Sequence, residues 1–208
     1  PMMVEELVDI NKEISVIAAK NPSGQVVTYP PVEMEFHPSA NLVEFLLCPS
    51  DISESIALQA DQLARKIITA MDINGLLAVE MFLTKSGELL INEVAPRPHN
   101  SGHQTIEGNL TSQYEQHLRG IMDMPLGDTD IIKPSVMINL LGAPNNTGEA
   151  RYVGIDECTK MNNSFIHLYG KAMTKPYRKM GHATVIDDDL DEARRKATFI
   201  KDNLIIKT

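Results

Sequence analysis

Leu76-Leu77-Ala78-Val79-Glu80-Met81-Phe82-Leu83, Thr84-Lys85-Ser86-Gly87-Glu88 and Leu89-Leu90-Ile91-Asn92-Glu93 make two apolar runs around a short polar turn that contains glycine. That pattern predicts a β-hairpin. If the chain turns symmetrically about Ser86-Gly87, Phe82 faces Ile91 and Glu80 faces Glu93. Like charges directly across a ladder destabilise it, and so apolar a strand leaves little water to screen them. Something cationic is therefore expected between the two acids. Two carboxylates suit magnesium, which completes its shell with water and nucleotide phosphates. Two other arrangements stay open: either Glu could pair with a nearby base such as Arg97, or a one-residue slip of register could part them.

Directly after Glu93 the chain reads Val94-Ala95-Pro96-Arg97-Pro98-His99-Asn100-Ser101-Gly102-His103. Arg97 lies four residues beyond the acid between two prolines that stiffen the loop. A guanidinium fixed beside a metal-bound phosphate would stabilise charge developing in phosphoryl transfer. His99 and His103 have the spacing of a zinc pair. They lack a third Cys or His ligand nearby, and the intervening glycine argues against a helix, so zinc is not expected.

Outward from this core, Glu13 to Lys20 reads as a strand, Asn21-Pro22-Ser23-Gly24 as a turn and Gln25 to Tyr29 as a returning strand. Extended pieces follow to Phe36 and from Leu42 to Leu47. Ser53 opens an amphipathic helix whose apolar positions Ile56, Leu63, Ile67 and Ile68, with Ala60 and Ala64 between them, recur at helical spacing up to about Met71. Ser112 to Met122 is a second helix. The Pro/Gly/Asp-rich connection from Pro125 to Pro134 marks a domain boundary. Strands at Ser135–Leu141, Phe165–Tyr169 and His182–Ile186 and a helix from Leu190 to Ile200 complete the pattern.

At 208 residues the chain can build one large domain or two small ones. Its net charge of -9 and pI near 5.1 argue against nucleic acid as a partner. Cys48 and Cys158 sit far apart outside any CxxC or Cys/His cluster, which reads as reduced, packed thiols and a cytosolic compartment. No apolar run approaches about 18 residues, and no basic-then-apolar leader opens the sequence, so neither a membrane span nor a signal peptide is expected.

Glu80, then Ile91 to His103, then Gln113-Tyr114-Glu115-Gln116-His117-Leu118-Arg119 closely resemble the ATP-grasp 5-(carboxyamino)imidazole ribonucleotide synthases of purine biosynthesis. The resemblance extends to Glu5-Glu6-Leu7-Val8, Glu13 to Ile17, Pro134 to Gly142, Tyr169-Gly170-Lys171 and Arg178 to His182, and so covers essentially the whole chain. It implies an α+β fold with an ATP-grasp-type antiparallel sheet and helices. Residues 1–124 would be the C-terminal half of the nucleotide and magnesium domain, and 125–208 a small, mostly-β C-terminal domain. It further implies a ligase that uses ATP, magnesium and bicarbonate to carboxylate the amine of 5-aminoimidazole ribonucleotide through carboxyphosphate, and a homodimer.

Carried over position by position, Glu5, Glu6, Leu7 and Val8 look like the hinge that hydrogen-bonds adenine. Glu13 looks like the carboxylate for the ribose hydroxyls and His37 like the nucleotide-side histidine. Glu80 and Glu93 look like the magnesium ligands, with Asn92 beside them on the nucleotide. Arg97, His99 and Asn100 look like the groups that hold bicarbonate and carboxyphosphate. Lys171, Arg178 and Lys179 look like the cations for the ribonucleotide phosphate. Without the resemblance, Glu13 and His37 would read as solvated strand-edge residues and Arg178-Lys179 as a solvated basic face.

The family's two upstream lysines and its glycine-rich phosphate loop have no counterpart in these residues. The 208 residues are accordingly expected to be a C-terminal part that folds at least partly but does not turn over. Two alternatives stand beside this reading. One is another ATP-grasp ligase such as the formate-dependent glycinamide ribonucleotide transformylase, against which Asn100-Ser101-Gly102-His103 argues. The other is a non-catalytic nucleotide-binding module.

Overall fold

The computed structural model describes residue 2, residues 4–37 and residues 42–208. Strands β1 (Ile10–Lys20), β2 (Val26–Thr28), β3 (Val32–Phe36) and β4 (Val43–Cys48) lead into helix α1 (Glu54–Ala70). Next come β5 (Gly75–Thr84), β6 (Leu89–Ala95), a 3-10 turn at Asn100–Gly102, α2 (Thr105–Gly108) and α3 (Gln113–Ile121). The remainder is β7 (Ser135–Leu141), β8 (Gly148–Glu149), β9 (Arg151–Val153), α4 (Ile155–Cys158), β10 (Ser164–Leu168), β11 (Met173–Thr174), β12 (Lys179–Ile186), α5 (Leu190–Asn203) and β13 (Ile205–Lys207).

The expected hairpins and long helices are present, and their ends follow from capping chemistry. Ser53 Oγ accepts from the Ile56 N–H at the start of α1. Ser112 Oγ accepts from the Glu115 N–H and starts α3. The 190s helix runs three residues past its expected end, to Asn203. The very short elements β8, β9, α4 and β11 carried no periodic signal long enough to read.

A nine-stranded sheet runs in the order β10-β12-β7-β4-β3-β1-β5-β6, with β2 added on β1, and every pairing in it is antiparallel. This bears out an α+β architecture built on an antiparallel sheet. The connection ending at Pro134 does not break the sheet, because β7 pairs with β4 from Cys48↔Ser135 to Phe45↔Ile138. A helix covers the sheet on each side of that connection, though Phe45 and Leu47 of β4 belong to the core under α5 and Met137 of β7 packs with Val32, Met34 and Leu46. Ala60, Ala64 and Ile68 of α1 cover Ile14, Val16 and Ala18 of β1 and Leu77, Val79 and Met81 of β5. Ala193, Ala197 and Ile200 of α5 cover Val136, Ile138, Ala183 and Val185. Both cysteines are buried and unpaired.

Ile68 is fully buried where α1 meets the sheet. Ile68→Ala is expected to cost about 3 kcal/mol, read from the urea midpoint, because a rigid sheet cannot close the cavity.

The opposite face of β1 and β5 matters for chemistry. Strand alternation that sends Ile14, Val16, Val79 and Met81 under α1 sends Glu13, Ser15 and Glu80 the other way. Helix α3 packs on that second face through Gly120. A Cβ there would lie 2.8 Å from the Gly75 Cα and 2.9 Å from the Lys20 carbonyl oxygen.

Candidate active site

The acid pair forms as expected, by a different route. Near the turn the pairs are Leu83↔Leu89, Phe82↔Leu90 and Met81↔Ile91, one residue out of step with a hairpin centred on Ser86-Gly87. Phe82 therefore faces Leu90, not Ile91. The register then shifts between Met81 and Glu80, leaving Asn92 unmatched and placing Glu80 opposite Glu93. Asn92 is a β-bulge, a common device for re-aiming side chains beside active sites.

Glu80 is buried and Glu93 exposed. Burial, followed by the charges of Glu93 and Glu13, pushes the Glu80 carboxyl up to about 7, with Lys179 acting against them. Glu13 is itself raised by burial. One ligand atom from each of Glu80, Glu93 and His99 lies within 4.8 Å of the others. Among the described residues this is the group whose donors suit a metal ion. Two carboxylate oxygens, one of them from a buried residue, are the donor type a hard cation takes.

The loop after β6 folds back over this face. Ser101 Oγ lies 2.8 Å from Ser15 Oγ on β1 and 3.0 Å from His99 Nδ1. The ring nitrogen His99 Nδ1 is 3.5 Å from Glu80 Oε1. This is not an ion pair at neutral pH, since burial, then Arg97 and Lys179, push the imidazole down to about 4. Arg97 is exposed, its Nη1 donating to the Pro98 carbonyl. Both amide atoms of the Asn100 side chain are buried without a protein partner.

Lys171, Arg178 and Lys179 divide. The charge of Lys179 acts on Glu80, His99 and His103. Burial lowers its own pKa, Glu80 opposes that, and Arg97 and Lys171 add to it. The ammonium of Lys171 donates to the Lys179 carbonyl at 2.6 Å and stands 5.3 Å above the Tyr169 ring. The Arg178 guanidinium instead donates to the Met173 carbonyl.

Glu5, Glu6, Leu7 and Val8 share a cleft of about 510 Å³ with Ile10, Phe82, Leu90, Ile91 and Asn92. Glu13 pairs with Phe82 at its edge. His37 lies 5.9 Å from the Tyr177 ring and lines a cavity of about 230 Å³ with Leu140 and Ile206.

Sequence reasoning missed a stack of imidazoles. The His103 ring lies 4.6 Å from that of His182, which lies 4.5 Å from His167. His167 Nε2 meets Glu107 at 2.7 Å, and the Tyr169 hydroxyl lies 3.0 Å from His182 Nδ1. Burial drives His103 down to about 4 and His182 to about 3, so both are neutral. His103 is thereby engaged in a stack. The signal available was the alternation of β12, which puts His182 opposite both His167 and Asn139.

Residues 1–114 match the ATP-grasp domain, and the chain belongs to the ATP-grasp family. Residues 135–196 match the phosphoribosylaminoimidazole carboxylase C-terminal domain. Among its relatives is the N5-carboxyaminoimidazole ribonucleotide synthase of Bacillus subtilis (strain 168), 40% identical over 190 residues, with 91% of this chain and 48% of that protein covered. The crystal structure of N5-carboxyaminoimidazole ribonucleotide synthetase from Thermotoga maritima superposes with a TM-score of 0.90 at 44% identity, covering 98% of this chain and 54% of that one. The Aspergillus clavatus N5-carboxyaminoimidazole synthase, crystallised in complex with ADP and 5-aminoimidazole ribonucleotide, gives a TM-score of 0.84 at 34% identity, covering 94% and 52%. The chain spans about half the length of the curated relatives it matches. No helix among the described residues is long and apolar enough to cross a membrane.

Proposed function

We propose that this chain carries the magnesium, bicarbonate and phosphate sides of a ligase in de novo purine biosynthesis. The reaction uses ATP and bicarbonate to carboxylate the amine of 5-aminoimidazole ribonucleotide, with carboxyphosphate as the intermediate. The observation that supports this most strongly is the acid face of Glu13, Glu80 and Glu93 covered by the His99–Asn100 loop, with Lys179 alongside. Carboxylates, cations and a neutral amide within one site match a reaction that joins a nucleotide phosphate to bicarbonate. The C-terminal domain match favours carboxylation over formyl transfer.

Glu80 and Glu93 would hold magnesium, which when bound neutralises charge on the nucleotide phosphates. Glu5 to Val8 and Asn92 line the cleft for the adenine end of ATP. Arg97 keeps free N–H donors for the charge that develops on the transferred phosphoryl group. Asn100 offers an NH2 group that donates and a carbonyl oxygen that accepts, the complement of a bicarbonate oxygen and its hydroxyl. His99, held neutral, places no competing positive charge beside Arg97. Lys171 and Lys179 receive the ribonucleotide phosphate, and Arg178 borders them. Residues 1–124 are assigned to the nucleotide side and 125–208 to the phosphate side. The same reading includes a cytoplasmic homodimer, which light scattering tests.

Calorimetric titration of 5-aminoimidazole ribonucleotide into the chain tests the phosphate side. Lys171→Met is expected to weaken binding about 10-fold, the loss of one charge-assisted contact of ~1.4 kcal/mol. Unchanged affinity would remove Lys171 from the site. The 208 residues alone are expected to bind substrates without consuming ATP.

A further inference from the structure

Gln113 is fully buried at the start of α3, and its amide grips the 99–103 loop at three points. Its Oε1 accepts from the His99 backbone N–H at 2.8 Å. Its Nε2 donates to the His99 carbonyl at 2.8 Å and lies 3.0 Å from His103 Nδ1. The oxygen is committed to an N–H, so the other end must be the amide NH2 group. His103 Nδ1 is therefore the acceptor, and the ring carries its proton on Nε2.

The surroundings agree with that tautomer. The Tyr114 hydroxyl, 3.0 Å from the same Nδ1, can donate to it as well. The groups facing His103 are Tyr114 and Gln113 of α3, Tyr169, and His182 and Lys179 of β12, with His99 and His167 nearby. No acid among them favours an imidazolium. Thr105 braces the grip: its Oγ1 accepts from the Gln113 N–H at 2.8 Å and donates to the Gly102 carbonyl at 2.6 Å. Gly102 leaves room for it, since a Cβ there would sit 2.5 Å from Gln113 Oε1.

We propose that Gln113 is the positioning residue of this loop: by clamping the main chain of His99 and fixing the Nε2–H form of His103, it holds His99 and Asn100 ready for an anion. The anion's identity rests on the function proposed above. The clamp itself does not, and the two can be tested apart.

Two variants separate the clamp from simple packing. Gln113→Glu keeps the size and the acceptor for the His99 N–H but loses the donor. Gln113→Met keeps the volume and loses both. In 15N imidazole spectra of the wild-type chain at pH 7, His103 Nδ1 is expected in the unprotonated range. Gln113→Glu is expected to move it to the protonated range, and Gln113→Met, which removes the acceptor, should speed hydrogen exchange at the His99 amide. Titrated with phosphonoformate in the presence of magnesium, as a stable carboxyphosphate analogue, both variants should bind about 10-fold more weakly. Wild-type-like His103 spectra and His99 exchange in both variants would overturn the proposal. If spectra and exchange change as expected while phosphonoformate binds neither wild type nor variants, the clamp stands and the carboxyphosphate reading fails.

Discussion

Magnesium–ATP titrated calorimetrically into the wild-type chain is expected to bind, and Glu93→Gln to bind about 100-fold more weakly or not at all. The substitution is nearly isosteric, so the fold is kept while one of the two carboxylates facing each other across β5 and β6 is lost. A second effect has the opposite sign. Without metal, Glu93 is one of the charges that push the Glu80 carboxyl up, so its removal relieves repulsion and leaves the metal-free variant no less stable than wild type. Weaker binding with undiminished stability is therefore the signature of a metal ligand. If the wild-type chain binds no magnesium–ATP at all, the nucleotide assignment falls and a structural role remains.

The acid limb of the stability curve should be dominated by the stacked imidazoles. His182 has its folded pKa lowered to about 3 from an ordinary value near 6.5, chiefly by burial and then by His103 and His167. A lowered histidine pKa contributes stability that is complete above about 6.5 and is lost as pH falls toward the folded value. Between pH 6.5 and 4.5 this one ring should cost about 2–3 kcal/mol. Glu80 acts in the reverse sense: its raised carboxyl favours the fold at low pH and loses that contribution as pH rises from about 4.5 through 7. Comparison with a variant isolates the imidazole. His182→Phe keeps an aromatic ring in the stack and is expected to flatten the urea-derived stability curve over that window by about 2–3 kcal/mol. Parallel curves for wild type and variant would show that His182 is not held neutral by the fold.

Much of the architecture could be read from the order of residues because its signals are local. The amphipathic spacing of α1, the serine caps and the apolar runs of β5, β6 and β7 each fall within a dozen or so neighbouring residues. The acid pair was legible for the same reason, although the bulge at Asn92 was not: a bulge is set by what the strand must present, and no turn residue announces it. The Gln113 clamp and the histidine stack were hidden more deeply. Gln113 stands ten residues beyond His103 on a helix that folds back over the loop, and His182 almost eighty residues beyond on β12, so tertiary packing alone brings them together. Motif resemblance picked out the Gln113 stretch without saying what the side chain does. His37, which only the resemblance singled out, stands 5.9 Å from the Tyr177 ring, a contact no local pattern announces.

The unmatched residue at Asn92 divides one strand into two phases. On the turn side, Leu89, Leu90 and Ile91 keep the step of a tight hairpin; beyond the bulge, Glu93, Val94 and Ala95 run half a pleat out of step with it. In a strand of uniform phase, the turn-side step would carry an amide, Asn92, to the place opposite Glu80, and Glu93 would point at the apolar layer under α1. The charge of the site is thus decided by a single offset in the backbone. A lengthened or shortened 84–88 turn would first meet that offset before its effect reached the acids, so the bulge stands between the acid pair and the exposed 85–88 tip.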